Sequence, residues 1–569
     1  MRRGTRWDLM HSGLPNSPKR PVARRNGARR LALPTLAATF ALGATSALWT
    51  TAARADEPIK ASEPSLMAEP GEIVDVVDAF DDKNKDPFDL HLSLGFVQTW
   101  ESSKIKRESN VGPDGKESDA GFTHNIENIA SYKHSTSVLN MRADVGLFRD
   151  LGLFFRVPFV LADDRSLDDL DGSATGVNER FGRASDTATG DPFFKLPFKA
   201  PTRSGVDYVA AGLRYSIFNQ TRDPTKPTWT LELEGRFGVG EPLHACNASP
   251  DTISDAAYRA AGLSKPAGGN GAYTQCNTPG ASVYDDTTNR WYRDPRDGGR
   301  SPGISRGTNA VKFGMMVSER YRYVEPYGGF WFMAEFQKRG TDMGDFAGIQ
   351  GVITNHPPLQ GGFIAGLMIH PWENRESFQR FSIDLKFRGT YVSQGRDYTE
   401  LFDALGTSGA SSLVAPNPTA YHTLVDGSGK PVLDKNGQNQ SVGDYGHTIN
   451  FTGVTDVEAH GIFGGSMGFV IQAGEFIKFH AGLGLTYVQS HLISSSDACN
   501  PDFQPSPGDA GRCQNVRSST SATGGATSTA TVTGAPNPNH RANLDLPGRR
   551  FRVSETFLWD AWLTGTVMF

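Results

Sequence analysis

The sequence predicts an all-β chain that closes into a transmembrane, antiparallel up-and-down β-barrel of about 12 strands. Short turns at one rim and long loops at the other are expected. Three observations predict this fold. Several segments alternate between apolar and polar residues, these segments pair into hairpins separated by long polar connections, and no apolar run of about 18 residues follows residue 55. Without a transmembrane helix, only a closed barrel pairs every backbone polar group inside a bilayer.

The first 55 residues have the pattern of a cleaved signal peptide. A basic stretch containing Arg24 and Arg25 precedes an apolar run from Leu31 to about Trp49, and Ala53-Arg54-Ala55 is a small-x-small cleavage site. The run is nearly long enough for a transmembrane anchor, but its small residues and its ending favour cleavage. We expect a signal peptide over 1–55, a periplasmic N-terminal linker over 56–87 and the barrel over 88–569.

Composition and charge agree with an exported barrel. Only 38% of the residues are hydrophobic, while Gly (63 residues) and aromatics (10%) are plentiful, as expected when apolar residues face lipid and polar residues fill the lumen and loops. Residues 1–55 hold ten Lys and Arg and one acid, so the remainder has 47 basic and 61 acidic residues, a net charge of −14. Such an acidic chain has no bulk attraction to nucleic acid, and we exclude nucleic-acid binding.

The alternation has the period of a β-strand. Between Phe381 and Tyr391 every second residue is apolar or Gly, and the residues between them are Ser, Asp, Lys, Arg and Thr. The segments that begin at Phe88, Trp229 and Ile477 behave alike. A strand with side chains on alternating faces produces this pattern. A single strand of this kind also fits a half-buried sheet of a soluble protein. The lengths of the connections between strands distinguish that sheet from a membrane barrel.

Five pairs of such segments are joined by tight turns. They are Leu139–Leu147 with Leu153–Leu161, Val209–Ile217 with Trp229–Val239, Val311–Arg320 with Phe330–Phe336, Phe363–Ile369 with Phe381–Tyr391, and Val457–Phe469 with Ile477–Tyr487. An opening strand at Phe88–Phe96 and a closing strand at the C-terminus bring the count to 12. Long polar connections lie at about 104–133, 165–205, 244–307, 340–357, 398–456 and 493–548. This asymmetry is typical of bacterial outer-membrane barrels, and the even count places both termini in the periplasm.

The end of the chain supplies the sharpest motif. From Phe557 every second residue is apolar or Gly, and the chain ends in Phe569. This resembles the closing strand of Gram-negative outer-membrane β-barrel proteins of the porin-like class. The resemblance implies that Leu563, Val567 and Phe569 form a signal for the barrel-assembly machinery. It also implies an outer-membrane location in contact with lipid and lipopolysaccharide; the oligomeric state is not indicated.

Tryptophans recur near the predicted strand ends. They are Trp100, Trp229, Trp331, Trp372 and Trp559. Interfacial aromatic girdles of membrane barrels lie at such positions, so these residues are expected at the membrane surfaces.

Four cysteines fall in two of the long connections. Cys246 and Cys276 lie in the third connection, and Cys499 and Cys513 in the sixth. Outside the cytoplasm disulfides are the expected state, and although four cysteines allow three pairings, we favour Cys246–Cys276 and Cys499–Cys513 because each pair closes locally.

The polar faces of the predicted strands carry charges of both signs. We expect the following residues to line the lumen: Arg142, Asp144, Arg156, Arg214, Glu232, Glu234, Arg236, Lys312, Arg320, Asp384, Lys386, Arg388, Glu458 and Lys478. Such a lining sets the selectivity of a pore. The same charges would also fit a salt-bridged network that merely fills the barrel, and twelve strands lie between filled 8-stranded barrels and open barrels of 16–18 strands.

The sequence offers little support for catalysis. The outer-membrane phospholipases, also twelve-stranded, use a His-x-Ser pair, and His91-x-Ser93 has this spacing. Here the pair lies on the predicted inner face near the periplasmic end, whereas a nucleophile that acts on lipid belongs at the outer, lipid-facing rim. The acidic residues between Asp163 and Asp171 could attract calcium, but their spacing matches no EF-hand, and we expect a solvated surface loop. We therefore expect no enzyme activity, cofactor or metal.

The function expected from these features is passive passage of small solutes through a porin-like channel or transporter. The alternative is a sealed barrel that displays disulfide-stapled surface loops for binding or adhesion. A third loop folded inward would favour the channel, and loops packed outward would favour binding.

Overall fold

The chain is described from a computed structural model. The structure describes residues 77, 79, 89–109, 125–170, 193–194, 196–248, 275–276, 282–285, 290–293, 301–343, 353–354, 356–408, 413, 417–418, 421–423, 441–443, 448–449, 451–500, 535–537 and 539–569. The predicted signal peptide lies outside the described residues, and so does the predicted linker except for Val77 and Ala79.

Twelve long strands form one antiparallel sheet among the described residues. They are β1 (Leu90–Ser109), β2 (Asn125–Phe148), β3 (Leu151–Asp169), β4 (Tyr208–Phe218), β5 (Thr228–Gly238), β6 (Thr308–Ser318), β7 (Val324–Gln337), β8 (Gln360–Asn374), β9 (Gln379–Val392), β10 (His460–Gly474), β11 (Ile477–Val488) and β12 (Phe551–Met568). Each strand pairs with its neighbours in chain order, and β12 pairs back onto β1. The predicted fold class, a twelve-stranded up-and-down barrel, is confirmed.

The seam between β1 and β12 closes the sheet. Its ladder begins with His91 opposite Met568 and extends over most of both strands. The terminal Phe569 and Leu90 exchange two backbone hydrogen bonds, of 2.9 and 3.1 Å. Closure gives every barrel strand two partners, which removes the exposed edges that an open sheet would present.

The two rims of the barrel differ in the length of their connections. At the short-turn rim, the five predicted hairpins turn at 149–150, 219–227, 319–323, 375–378 and 475–476. At the opposite, long-connection rim, the strands are joined across 110–124, 170–207, 239–307, 338–359, 393–459 and 489–550. The unequal connections predicted from the sequence are therefore present.

Several predicted strand boundaries are wrong. The first long connection was expected at 104–133, but β1 continues to Ser109 and β2 already begins at Asn125. The extension of β1 and β2 was not predicted because its residues are polar and do not alternate. Backbone hydrogen bonds between two strands do not depend on which side chains they carry. The predicted β10 was expected from Val457, which instead pairs in the short strand Thr455–Val457 with Gly395–Asp397.

The long connections carry short elements of their own. Helix α1 spans Phe402–Gly406 and helix α2 spans Ala542–Asp545, and a 3₁₀ turn, Arg375–Ser377, lies at the short-turn rim. Phe198–Lys199 and Arg203–Val206 add to β3, and His491–Leu492 adds to β12. Further short strands pair as Cys246–Asn247 with Gln275–Cys276, Ser282–Asp285 with Arg290–Arg293, Asn417–Pro418 with Thr448–Ile449, Tyr421–Thr423 with Ser441–Gly443, and Cys499–Asn500 with Ala535–Pro536. No helix in the described part of the chain is long and apolar enough to cross a membrane.

The outer surface of the barrel is apolar. Every barrel strand places at least one exposed large apolar side chain on it, among them Leu92, Met141, Phe155, Leu213, Leu233, Val311, Phe330, Phe363, Leu385, Phe463, Leu483 and Trp559. A barrel with apolar side chains exposed all around it would aggregate in water. The same side chains are stable in contact with the hydrocarbon chains of a membrane.

An apolar cap covers the lumen at the long-connection rim. It consists of the buried side chains of Ile105, Ile129, Ala130, Tyr132, Leu167, Phe193, Phe198, Ala200, Leu401, Ala404, Leu405, Leu413, Phe451, Ile493, Leu544, Phe551 and Val553. Barrel strands supply Ile105, Tyr132 and Leu167 from their inner faces, while α1 and the residue before it supply Leu401 and Leu405. The connection that follows β9 therefore folds over the mouth of the barrel.

Replacing Leu483 by Arg tests the orientation of the outer face. Leu483 lies in the middle of β11 with 62% of its surface exposed, so an arginine there would lower the free energy of unfolding in lipid vesicles by about 2–4 kcal/mol. Phe476→Arg, in the turn before β11, is the matched control and should cost at most about 1 kcal/mol. Guanidinium titration followed by tryptophan fluorescence measures both, and equal costs would contradict the orientation.

Candidate functional site: the barrel lumen

One wall of the lumen carries a ladder of ion pairs. Glu234 on β5 contacts Arg156 on β3, with 2.6 Å between Oε1 and Nη2, and its neighbour Arg236. Glu232, two residues earlier, contacts Arg214 on β4 at 2.8 Å and Lys312 on β6 at 3.0 Å. The strand register makes these contacts possible, because Arg214 lies directly opposite Glu232. Each carboxylate is thus shared by two cations.

Aromatic rings support the guanidinium groups of this wall. The ring of Phe154 lies 4.4 Å from the guanidinium carbon of Arg142 and 5.5 Å from that of Arg214. The ring of Tyr208 lies 5.7 Å from Arg156 and 5.2 Å from Arg236. Cations over aromatic faces are attracted to the ring and restricted in orientation.

A largely apolar wall adjoins the charged wall at the same level, since Met333 lies directly opposite Lys312 in the β6–β7 ladder. It is lined by Met316, Trp331, Met333, Ile364, Ile462, Val488 and Leu558, together with polar Gln360, Thr390, Thr486 and Arg388. Between the two walls lies the central cavity, of about 670 Å³. Trp331, expected from the sequence in an interfacial girdle, instead lines this cavity; Trp100, Trp372 and Trp559 are exposed on the outer side.

A second space, the rim cavity of about 280 Å³, adjoins the central cavity towards the short-turn rim. Arg142, Arg156 and Arg214 line both spaces. Val77 from the predicted linker also lines the rim cavity. Ala79, two residues later, exchanges backbone hydrogen bonds of 2.7 and 3.2 Å with Arg149 in the turn between β2 and β3. The segment that precedes β1 thus reaches the short-turn mouth of the lumen.

The predicted lumen residues fall into three groups. Those that line one of the two cavities are Arg142, Asp144, Arg156, Arg214, Glu232, Glu234, Arg236, Lys312, Arg388 and Lys478. Asp384 and Lys386 lie on the inner face of β9, where Asp384 accepts a 2.5 Å hydrogen bond from the Tyr327 hydroxyl and lies 3.4 Å from Lys386. Arg320 and Glu458 lie outside the barrel strands, at opposite rims: Arg320 pairs with Glu373 and Glu458 accepts from the Leu492 amide.

Buried ion pairs attach the cap to the wall. Asp403 on α1 contacts Arg203, whose side chain is fully buried, with 3.2 Å between Oδ2 and Nη1. Arg165 on β3 approaches the same carboxylate at 3.9 Å, and Arg203 also donates to the carbonyl of His244 at 2.9 Å. One helix residue therefore joins the connection after β9 to two other parts of the long-connection rim.

The predicted Cys246–Cys276 disulfide is present and lies beside α1. Its two sulfurs are 2.06 Å apart, and the Cys246 amide donates a 2.9 Å hydrogen bond to Asp403. Next to it, Leu243, Ala245 and Phe402 form a second small buried cluster. The third connection thus packs onto the helix that covers the lumen. The predicted Cys499–Cys513 pair lies outside the described side chains.

The chain is a closed antiparallel β-barrel of twelve strands, with an apolar outer surface and a charged interior. This is the fold of a membrane-spanning β-barrel. No protein-family model matches the chain, and no curated protein matches it.

Comparison with solved structures matches the chain to three proteins at very low identity and low TM-scores. The Escherichia coli outer membrane protease OmpT shares 7% identity over 85% of this chain and 96% of its own, with a TM-score of 0.22. A Pseudomonas aeruginosa FadL homologue shares 9% over 84% and 90%, with a TM-score of 0.29. An anion-selective porin from Comamonas acidovorans shares 6% over 84% and 100%, with a TM-score of 0.12.

Metal binding and catalysis would each need a cluster of suitable side chains in the described part of the barrel. No group of three or more His, Cys, Asp or Glu residues there is arranged to hold a metal ion. His91 and Ser93 line the rim cavity, and the Ser93 hydroxyl lies 2.9 Å from that of Thr566. Asp163 contacts Arg165, and Asp168 contacts Lys133, so these two acidic residues pair with cations.

Beside the cap, a buried polar network joins three connections of the barrel. Asp456 contacts Arg396 at 3.2 Å and accepts a hydrogen bond from the Ser496 hydroxyl. Asp545 on α2 accepts from the amides of Ser496 and Arg541, at 3.1 and 2.7 Å. Burial and the nearby Asp456 carboxylate raise the pKa of Asp545 to about 7.

The sequence did not predict the apolar wall of the cavity or the cap. Apolar residues were assigned to the lipid face, yet Trp331 and Met333 point inward. The available signal was the loss of alternation in Phe330-Trp331-Phe332-Met333, where both faces are apolar. For the cap it was the spacing of Leu401, Phe402 and Leu405 within a polar connection, which is a helical period.

The raised pKa of Asp545 predicts that the cap loosens as pH rises. Because the pKa of Asp545 is higher in the folded state, about 7, than in the unfolded state, about 3.8, the folded state binds the proton more tightly. This stabilisation is complete below pH 3.8 and is lost as pH rises through 7. The equilibrium constant for opening of the cap should rise by up to about tenfold per pH unit between these two pKa values. Hydrogen exchange at the Leu544 and Leu405 amides, corrected for intrinsic rates, measures it. Asp545→Asn should remove the dependence, and an unchanged slope in that variant would refute the assignment.

Proposed function

We propose that this protein is an outer-membrane channel or transporter that passes small solutes through its lumen. The observation that carries the proposal is the pair of cavities inside the barrel, the central and the rim cavity, which share Arg142, Arg156 and Arg214 in their linings. The rim cavity lies towards the short-turn rim, proposed to be periplasmic, and the cap lies at the long-connection rim, proposed to be extracellular. In this conformation, passage requires the cap to move.

The construction of the cap supports a gate. Leu243, Ala245 and Cys246 of the third connection pack against α1. The helix itself spans only five residues. A short element within a connection can be displaced without unpairing any barrel strand.

A sealed barrel that displays stapled loops for binding is the second candidate. The apolar cap and the Cys246–Cys276 disulfide favour it, because both would be expected of a permanent closure. The two candidates differ in whether the cap opens.

The remaining assignments follow from the class of the fold. We propose that residues 1–55 are removed on export, and that Leu563, Val567 and Phe569 guide insertion by the barrel-assembly machinery into a membrane containing lipopolysaccharide. We propose no enzymatic step. His91 and Ser93 face the rim cavity, away from the lipid-facing side where a lipid-cleaving pair would act.

Planar-bilayer conductance of the refolded protein lacking residues 1–55 tests the channel. Discrete and reproducible current steps are expected, infrequent at rest because the cap closes one end of the lumen. Correctly folded, heat-modifiable protein that inserts without steps under all voltages would leave the sealed barrel as the better function.

Asp403→Asn should open the cap more often. The substitution leaves the Arg203 guanidinium buried without its ionised partner, a change that typically costs about 3–5 kcal/mol, and it loosens α1. Open probability in the bilayer should rise several-fold or more. Asp168→Asn is the matched control, because its partner Lys133 is exposed at the same rim and little change is expected. Equal behaviour of the two variants would contradict the assignment of α1 as the gate.

A further inference from the structure

We propose that the central cavity binds amphiphilic organic anions, meaning small solutes with a carboxylate or phosphate group on an apolar body. The proposal rests on the proposed function, since it names the class of solute that the lumen would admit. Two features of the cavity carry it: a surplus of cations on one wall and the apolar wall that adjoins it.

Cations outnumber carboxylates among the described residues that line the two cavities. The cations are Arg142, Arg156, Arg214, Arg236, Lys312, Arg388 and Lys478, and the carboxylates are Asp144, Glu232 and Glu234. Asp560, 3.7 Å from Arg388, offsets one more charge. Lipid around the barrel lowers the effective dielectric constant, so the remaining positive charge is screened less than in water. An anion inside the cavity would neutralise it.

The acceptors of the charged wall are shared between its donors. Glu232 contacts Arg214 and Lys312, and Glu234 contacts Arg156 and Arg236. A guanidinium has five N–H donors and a carboxylate about four acceptor positions. One carboxylate between two cations therefore supplies fewer acceptors than the cations have donors. Carboxylate and phosphate oxygens of a solute match this planar donor geometry.

The guanidinium groups are also held in place before any solute arrives. Phe154 stacks under Arg142 and Arg214, and Tyr208 under Arg156 and Arg236. Because the side chains already have restricted rotamers, less entropy is lost when they bind an anion.

The apolar wall determines the chemistry of the rest of the solute. Trp331, Met316, Met333 and Ile364 face the same space, and an inorganic anion would leave their apolar surface in contact with water. A volume of about 670 Å³ lies within the range of about 300–1,000 Å³ that is usual for small-molecule sites. A solute with both an anionic group and an apolar body would contact both walls.

Calorimetry with three probes tests the assignment. The refolded protein without residues 1–55 is placed in lipid nanodiscs, with empty nanodiscs as the blank, and titrated with 4-phenylbutyrate, 4-phenylbutan-1-ol or acetate. We expect 4-phenylbutyrate to bind at least about tenfold more tightly than either of the others. Equal binding of the alcohol would refute the role of the cations, equal binding of acetate would refute the role of the apolar wall, and no binding of 4-phenylbutyrate would overturn the proposal.

Matched variants locate the binding. Arg236→Gln should weaken 4-phenylbutyrate by about tenfold, and Ile364→Ser should weaken it several-fold without changing acetate. Lys226→Gln, an exposed turn lysine 3.1 Å from Asp223, is the control and should change nothing. If Arg236→Gln fails to fold, Arg388→Gln, whose side chain is half exposed, replaces it. Binding unaffected by either arginine substitution would contradict the assignment.

Conductance separates this inference from the proposed function. Current steps without 4-phenylbutyrate binding would overturn the inference and leave the channel standing. Binding that Arg236→Gln weakens, in a protein that shows no steps, would support the anion site and reject the channel.

Discussion

Closure of the sheet is the constraint on which the other features of this barrel depend. Water is absent from the bilayer core, so each backbone N–H and C=O must find a partner within the protein. The pairing of β1 with β12 satisfies this requirement for the two strands that would otherwise form edges. Once the sheet is closed, side chains have only two environments, and the alternation of the sequence assigns each residue to lipid or to lumen.

Much of the fold could be predicted because this assignment has a period of two. Five hairpins, twelve strands and their order follow from the alternation and the turns. The charged wall was predicted for the same reason, since Arg142, Glu232 and Lys312 lie between apolar neighbours. The limits of β1 and β2 were not predicted, because beyond the membrane the ladder continues through polar residues such as Lys104 and Lys133.

The apolar wall and the cap could not be predicted, because their residues depend on distant contacts. Trp331 faces the lumen opposite Gly314 and Gly362, and only the strand register shows that glycine on both neighbouring strands leaves room for the indole. Asp403 is separated from Arg203 by 200 residues. No local pattern indicates that one acidic residue in a long polar connection will be the buried partner of an arginine on another.

Apolar burial stabilises the cap, and the ion pair between Arg203 and Asp403 fixes its position. Desolvation of Arg203 and Asp403 offsets much of their attraction, so a buried pair contributes little net stability even though removing one partner is costly. The side chains of Leu401 and Leu405, almost fully buried in the cap, each contribute about 1.5–3 kcal/mol. The closure is therefore stabilised mainly by its buried apolar side chains. The ion pair between Arg203 and Asp403 determines where α1 lies.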